Sequence, residues 1–166
     1  PTPDTEISVE DLQMRLLTWF HTHPVSDIAF LGASSQVCAS IDEGGRLRLW
    51  QIGRGLDPKG FRVVCFTSAL TSFTADEDGQ LLLVGSDSGC VHVVNCADWR
   101  KPDVLDTLRI CDAGIAKLCS VTHEGRCISA AASLFNNKIA FFTVMFTDPK
   151  VHMFGFVDVM GSVDDI

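Results

Sequence analysis

The chain has 166 residues, of which 46% are hydrophobic and 20% are charged. This apolar content is sufficient to build a core in a chain of this length, which excludes an intrinsically disordered protein. Thirteen Lys and Arg residues against twenty-one Asp and Glu residues give a formal net charge of −8. Without clustered basic residues, this charge argues against nucleic acids and anionic membranes as ligands, so we expect other proteins as partners.

The first residues allow two interpretations. We expect residues 1–14 to be an N-terminal extension and residues 15–166 to form the folded domain. Helical spacing occurs near Ser8–Leu17, where Ser8 suits a helix N-cap. The stretch Arg15–Phe20 equally suits a strand that leads into the first repeat, and we favour the strand. The pattern leaves open whether residues 5–20 are helix or strand.

A repeat begins at residue 25. Four short segments each place two small or polar residues between two apolar ones, and their starts lie 45, 45 and 48 residues apart: Val25–Ile28, Leu70–Phe73, Ile115–Leu118 and Val163–Ile166. Internal similarity at this period indicates a repeat architecture.

Each repeat continues in the same way, with three further strand signals separated by turn residues. The second strands are predicted at Val37–Ile41, Leu81–Val84 and Cys127–Ala131. The third strands follow tight polar turns, at Leu47–Trp50, Val91–Val94 and Ile139–Phe142. The fourth strands are predicted at Phe61–Phe66, Val104–Ile110 and Val151–Phe156. Four antiparallel strands every ~40–45 residues are typical of a β-propeller blade.

The motif Gly45–Ile52 resembles the end of a WD40 repeat, with Gln51 in place of the usual Asp, and His21–Val25 is similar to that family's Gly-His segment. The resemblance extends from Arg15 to Ile166. It implies an all-β fold with three full blades, at about residues 25–66, 70–111 and 115–156, and a next blade that begins at about residue 161. Propellers close with about four to eight blades, so we expect part of a larger propeller whose outer faces are apolar and exposed. An open three-sheet module that a partner chain completes is the alternative.

The resemblance also implies a hydrogen-bonded tetrad of His, Ser or Thr, Asp and Trp. In the first repeat His23 (or His21), Ser40 and Trp50 suit three of its places. Gly44 stands six residues before Trp50, where the family carries its Asp. We therefore expect the tetrad to be incomplete in every repeat.

The sequence contains no signature of catalysis, and we assign no catalytic, metal-binding or cofactor-binding residues. GxSxG, HExxH and Walker motifs are absent. The seven cysteines are irregularly spaced, which predicts reduced thiols in an intracellular, cytoplasmic protein rather than disulfides or a zinc site. The apolar stretch Cys127–Phe146 is interrupted by Asn136–Lys138, which indicates two strands rather than a membrane span.

Two surfaces are candidates for binding a partner. The loops between third and fourth strands each carry Pro, Lys and Asp. Their candidate partner-binding residues are Trp99, Arg100, Lys101, Lys59 and Lys150. Trp and Arg are enriched at interface anchors, although Trp99 suits equally well a role in covering its own blade. The opposite face gathers His23, Asp42, Glu43 and Asp87, and the resemblance implies this face as a second binding site. Its acidity favours a basic partner segment.

We expect a non-enzymatic scaffold that binds subunits of a multiprotein complex, as well as neighbouring blades of its own longer chain. A weaker resemblance to WD-repeat proteins of cilia and flagella, carried by Ile139–Phe142, Pro149–Val151, Gly155–Val157 and Gly161–Val163, implies a ciliary or cytoskeletal assembly. One alternative is a hydrolase or lyase that uses the channel carboxylates Asp42, Glu43 and Asp87. The other is a structural strut within a large multidomain chain.

Overall fold

The computed structural model describes residues 21–32, 36–52, 58–123 and 127–159. They form twelve strands: β1 (Val25–Phe30), β2 (Val37–Asp42), β3 (Arg46–Ile52), β4 (Pro58–Cys65), β5 (Leu70–Ala75), β6 (Leu81–Ser86), β7 (Cys90–Asn95), β8 (Asp103–Arg109), β9 (Ile115–His123), β10 (Cys127–Leu134), β11 (Lys138–Met145) and β12 (Val151–Asp158). The predicted N-terminal extension, the strand or helix before residue 21 and the blade expected from residue 161 lie outside the described residues.

The strands form three four-stranded sheets, each with neighbours in sequence order: β1–β4, β5–β8 and β9–β12. All pairs are antiparallel, as short hairpin connections require. The predicted all-β fold with blades of four antiparallel strands is confirmed. The described segments contain no helix, and therefore none with the length and apolarity to cross a bilayer.

Equivalent tight turns join the second and third strands of each sheet. In each turn the third residue donates its N–H to the carbonyl of the last residue of the preceding strand, at 3.1 Å for Gly45, 3.1 Å for Gly89 and 3.2 Å for Asn137. All three residues have positive φ, at 77°, 75° and 60°. Glycine and asparagine are the residues that adopt this conformation most readily, which explains the polar turn signals of the sequence.

Apolar side chains from facing sheets pack into two clusters. Between the first and second sheets, Ile41 and Leu49 pack with Leu82 and Val84. Between the second and third sheets the packing is similar, with these buried residues among others: Leu83, Val93, Ala130, Ala132 and Phe142. Because side chains alternate along a strand, the two central strands of the second sheet, β6 and β7, supply both clusters. Full burial of each such Leu, Val or Phe contributes about 1.5–3 kcal/mol, which makes this stacking the main source of stability.

Polar contacts also connect the first strands of the three sheets. Asp27, Ser72 and Lys117 hold the same place on β1, β5 and β9, 45 residues apart. The Asp27 carboxylate lies 3.4 Å from Ser72 Oγ and 3.9 Å from Lys117 Nζ, and Ser72 Oγ accepts the Leu118 N–H at 3.1 Å. The three sheets are therefore held in register along their innermost strands as well as by their apolar faces.

The third sheet keeps an apolar face exposed. Phe142 points into the core between the second and third sheets, so Phe141, which is 41% exposed, lies on the opposite face. Cys119, Val121 and Ala131 line a shallow groove beside it. The sequence-based expectation of an apolar, exposed outer face agrees with this surface.

Candidate functional site

A chain of hydrogen bonds crosses the first sheet from Trp50 to Asp42. Trp50 Nε1 donates to Ser40 Oγ at 2.8 Å, and Ser40 Oγ lies 2.8 Å from His21 Nε2. His21 Nδ1 lies 2.7 Å from Asp42 Oδ2. One proton arrangement satisfies every member: the serine hydroxyl donates to Nε2, and the neutral imidazole donates from Nδ1 to the carboxylate.

The charges around this chain stabilise that arrangement. Burial lowers the pKa of His21, and the Arg48 guanidinium adds to the lowering against the opposing effect of Asp42. Burial alone would raise the pKa of Asp42, but hydrogen bonds from His21 and from the Arg46 N–H (3.0 Å) hold it below its usual range. Arg48 donates to Asp42 at 3.2 Å and also contacts His21 Nδ1. The result is a buried carboxylate–guanidinium pair next to a neutral histidine.

The geometry decides between the two candidate histidines of the predicted tetrad and supplies an acid that the sequence analysis did not assign. The histidine bound to Ser40 is His21, not His23, whose ring is exposed and rests on Gly44, where a Cβ would overlap it. The acid is Asp42, the last residue of β2, which lies eight rather than six residues before Trp50. The tetrad of the first sheet is therefore complete, contrary to the sequence-based expectation, because Asp42 fills the place expected for residue 44.

Strand register identifies the equivalent places in the other sheets. Ser40 pairs with Arg48, Val84 with His92, and Ala132 with Ala140. The set His21, Ser40, Asp42, Arg48 and Trp50, which we call the polar column, therefore corresponds to Phe66, Val84, Ser86, His92 and Val94 in the second sheet and to Cys111, Ala132, Leu134, Ala140 and Phe142 in the third.

The second sheet retains one ionisable side chain in its column. His92 packs against the Phe66 ring, with 4.4 Å between centroids, and its Nδ1 lies 2.9 Å from Thr107 Oγ1. Burial lowers the pKa of His92. An imidazole that packs on an aromatic ring here takes the place of an arginine that is paired with a carboxylate in the first sheet.

The turns of the three sheets lie at one end of the strands, together with the connections that enter β1, β5 and β9. We call this end the turn rim. Glu43, Asp87 and His23 are exposed there, and their role in binding a partner stays a prediction. Asp42 is not, because its side chain is fully buried in the polar column. The proposal that Asp42 binds a partner or acts as a channel carboxylate is therefore wrong.

The turn rim also contains an aromatic residue that the sequence did not single out. Phe135 is 66% exposed and occupies the same place in the third turn as Glu43 and Asp87 in the first two. Its position directly after a buried strand and before Asn136-Asn137 was the available signal. The sequence pattern alone places Phe135 inside the apolar stretch Cys127–Phe146.

The opposite end of the strands, the loop rim, carries the other predicted residues. Trp99 is half-buried and packs against the core between the first and second sheets, while Arg100 lies 5.3 Å from its ring centroid. The Arg100 carbonyl accepts a hydrogen bond from Arg62 Nε at 3.1 Å, and Lys101 and Lys150 are exposed. Lys59 lies on β4, and its side chain is outside the described part of the structure. Trp99 therefore covers the core between the first and second sheets, and the loop rim exposes the basic Arg100, Lys101 and Lys150 together with acids such as Asp98 and Asp148.

Two of the thiols, Cys38 and Cys96, are buried and offer little reactivity, and metal-binding clusters are not found in the described segments. Burial raises the pKa of Cys38 and of Cys96 to about 12, with the Asp76 charge adding to the effect at Cys96. Thiols with such pKa values are poor nucleophiles at neutral pH. Within residues 21–32, 36–52, 58–123 and 127–159, no three His, Cys, Asp or Glu side chains lie close enough to hold a metal ion.

No family model and no curated protein matches the sequence. The fold, however, matches solved structures described as the structure of U3-55K and the crystal structure of RRP9 WD40 repeats, each with a TM-score of 0.65 and 9% sequence identity. The chain folds as blades of a WD40-type propeller. The match covers 84% of this chain and 40% of each of those chains. The WD40-type blades described here are thus a partial propeller, and the Trp50–Ser40–His21–Asp42 chain has the residue types of the tetrad that the sequence resemblance implies.

Proposed function

We propose that the chain is part of a non-enzymatic scaffold that binds other proteins in an intracellular complex. The observation that carries the proposal is the distribution of its exposed side chains. The turn rim presents Glu43 and Asp87, the loop rim presents Arg100 and Lys101, and the acid of the polar column is locked in hydrogen bonds. WD40-type propellers present their loops to partner proteins from rims of this kind.

The charge of the turn rim supports one kind of partner. An acidic rim steers basic segments, with larger effects on association rate than on affinity. The net charge of −8 disfavours a nucleic-acid ligand. We further propose a ciliary or cytoskeletal assembly, which the sequence pattern of the third repeat supports.

Lysine cross-linking followed by mass spectrometry on the native complex tests the scaffold role. Lys101 and Lys150 report on the loop rim, and Lys138, which is 43% exposed, reports on the turn rim. We expect reproducible links from at least one rim to a second protein. Links confined to the chain's own longer protein would overturn the proposal in favour of a structural strut.

A paired variant sharpens this experiment at the loop rim. Trp99→Ala is unsuitable because Trp99 packs against the core, and its loss would also lower stability. Arg100→Ala combined with Lys101→Ala removes the exposed charges alone. If the loop rim binds the partner, this variant reduces capture of the cross-linked partner, whereas Lys138→Ala does not.

A further inference from the structure

A cleft opens at the turn rim where the first, second and third sheets meet. It is lined by the turn residues Glu43, Asp87 and Phe135, together with Ser26, Ala69, Leu70 and Thr71. Two carboxylates and one phenyl ring, each from a different sheet, therefore border one concavity. The two acids are exposed, and Phe135 has the second-largest exposed fraction among the exposed large hydrophobic residues.

The three bordering side chains are placed by the same backbone device. Glu43 N–H donates to the Pro24 carbonyl, Asp87 N–H to the Ala69 carbonyl, and Phe135 N–H to the Gly114 carbonyl, each at 3.0 Å. Each turn is thereby tied to the connection that enters its own sheet. These hydrogen bonds thus fix where the backbone of Glu43, Asp87 and Phe135 lies, independently of the conformational preferences of the turn residues.

Gly114 gives the phenyl ring its position. A Cβ at residue 114 would lie 2.8 Å from Phe135 Cδ2 and 2.7 Å from the Asp87 carbonyl oxygen. The ring edge and the Asp87 backbone therefore approach the same point above the glycine. Because the Phe135 ring thereby lies next to the Asp87 backbone of the second sheet, it borders the cleft between the described sheets.

We infer that this cleft binds an arginine side chain of a partner protein, which deepens the proposed scaffold function and rests on it. A guanidinium is planar, carries several donors, and stacks on aromatic rings, so it matches two carboxylates and one phenyl ring. A lysine offers a compact, strongly hydrated charge and fits this set less well.

The test uses three fluorescein-labelled pentapeptides, Gly-Gly-Xaa-Gly-Gly, in which Xaa is arginine, lysine or citrulline. Citrulline has the shape of arginine without its charge. Binding to the intact protein is measured by fluorescence anisotropy. We expect the arginine peptide to bind about tenfold more tightly than the citrulline peptide, and more tightly than the lysine peptide.

Variants then locate the site. Glu43→Gln, Asp87→Asn and Phe135→Ala each reduce affinity for the arginine peptide about two- to five-fold, because each removes one exposed ion pair or cation–π contact. The matched controls are Glu77→Gln and Asp78→Asn, which remove the same charges from exposed positions at the loop rim. All five side chains are exposed, so circular dichroism melts are expected to agree with that of the wild type.

Three results would overturn the inference: equal affinity for arginine and citrulline peptides, equal losses in the control variants, or no measurable binding of the arginine peptide. The scaffold proposal fails separately. If the Glu43→Gln, Asp87→Asn, Phe135→Ala triple variant still cross-links to the partner, the cleft proposal is contradicted and the scaffold proposal stands. If the arginine peptide binds but no cross-linked partner is found, the scaffold proposal is contradicted and the cleft proposal stands.

Discussion

In the first sheet, Trp50, Ser40, His21 and Asp42 form a continuous hydrogen-bonded chain beside Arg48, whereas the second sheet fills the same five places with Phe66, Val84, Ser86, His92 and Val94. Both sheets have the same topology and the same turn. The difference shows that the blade geometry does not require the tetrad. Apolar side chains at these places hold the second sheet between its neighbours.

The two solutions nevertheless share one contact. Asp42 Oδ1 accepts the Arg46 N–H at 3.0 Å, and Ser86 Oγ accepts the equivalent Cys90 N–H at 3.2 Å. A side-chain oxygen at the end of the second strand thus closes the turn in both sheets. In the third sheet Leu134 takes this place, so the turn there depends on backbone bonds and on Asn137. The turn therefore forms without the polar column, whose further effect in the first sheet is to bury the charges of Asp42 and Arg48.

The largest expected effect comes from removing the acid of the polar column. Asp42→Ala leaves the guanidinium of Arg48 buried without its carboxylate, and we expect a loss of about 3–5 kcal/mol in the free energy of unfolding. The equivalent Ser86→Ala removes a neutral oxygen and is expected to cost about 1 kcal/mol. Urea unfolding followed by circular dichroism compares the two. Equal losses would show that the carboxylate acts only as a turn cap.

A smaller loss is expected from Trp50→Phe. Phenylalanine occupies this place in the third sheet, as Phe142, but at Trp50 the change removes the hydrogen bond to Ser40 and leaves a cavity. We expect a cost of about 1–3 kcal/mol. If the bond matters, the cost of Trp50→Phe becomes smaller when Ser40 is already alanine. A cost that is independent of residue 40 would assign the whole effect to packing.

Acidification sharpens the comparison between the two histidines. The pKa values of His21 and His92 are both lowered in the folded protein, so the unfolded chain binds more protons near pH 6.5. Their stabilising contributions are complete above the unfolded pKa of about 6.5 and decline as the pH falls towards the folded values. We expect the melting temperature to fall between pH 7.5 and pH 5.5.

Variants separate the two contributions to this pH dependence. His21→Phe, which copies Phe66, and His92→Gln each reduce the slope of stability against pH, and the double variant reduces it further. The pKa of Asp42 is lowered below its usual acidic value, so its loss of stabilisation lies at lower pH and does not overlap this window. A slope unchanged in the double variant would contradict this account.

The smallest net change is expected when both charges of the column are replaced together. In Asp42→Leu/Arg48→Leu no charge remains buried without a partner, and such replacements are often nearly neutral. We expect the double variant to lie within about 1–2 kcal/mol of the wild type, well short of the summed single losses. An additive result would mean that the two charges do not interact.

Local signals were enough to predict the strands and the sheets. Alternating or continuous apolar runs between Gly, Asn and Asp turns report directly on backbone preferences, so β6, β7, β10 and β11 were predicted near their observed positions. The 45-residue period linked these strands into repeats. No long-range information was needed for this step, because each hairpin is local in sequence.

The tertiary structure alone decided which side chains that lie far apart in the sequence contact each other. The sequence does not distinguish His21 from His23 as the histidine of the tetrad. Only the path of the folded chain into β1 brings His21 to Ser40 and Asp42, which are about 20 residues away in the sequence. Phe135 lies in an apolar stretch of the sequence, and only packing of the third sheet on the second places it beside Asp87. Sequence by itself determined the number, order and alternation of the described strands, since these follow from local sterics and burial. The partners of the buried charges depend on strand register within the first sheet, and the composition of the cleft depends on packing between sheets, neither of which exists before the chain has folded.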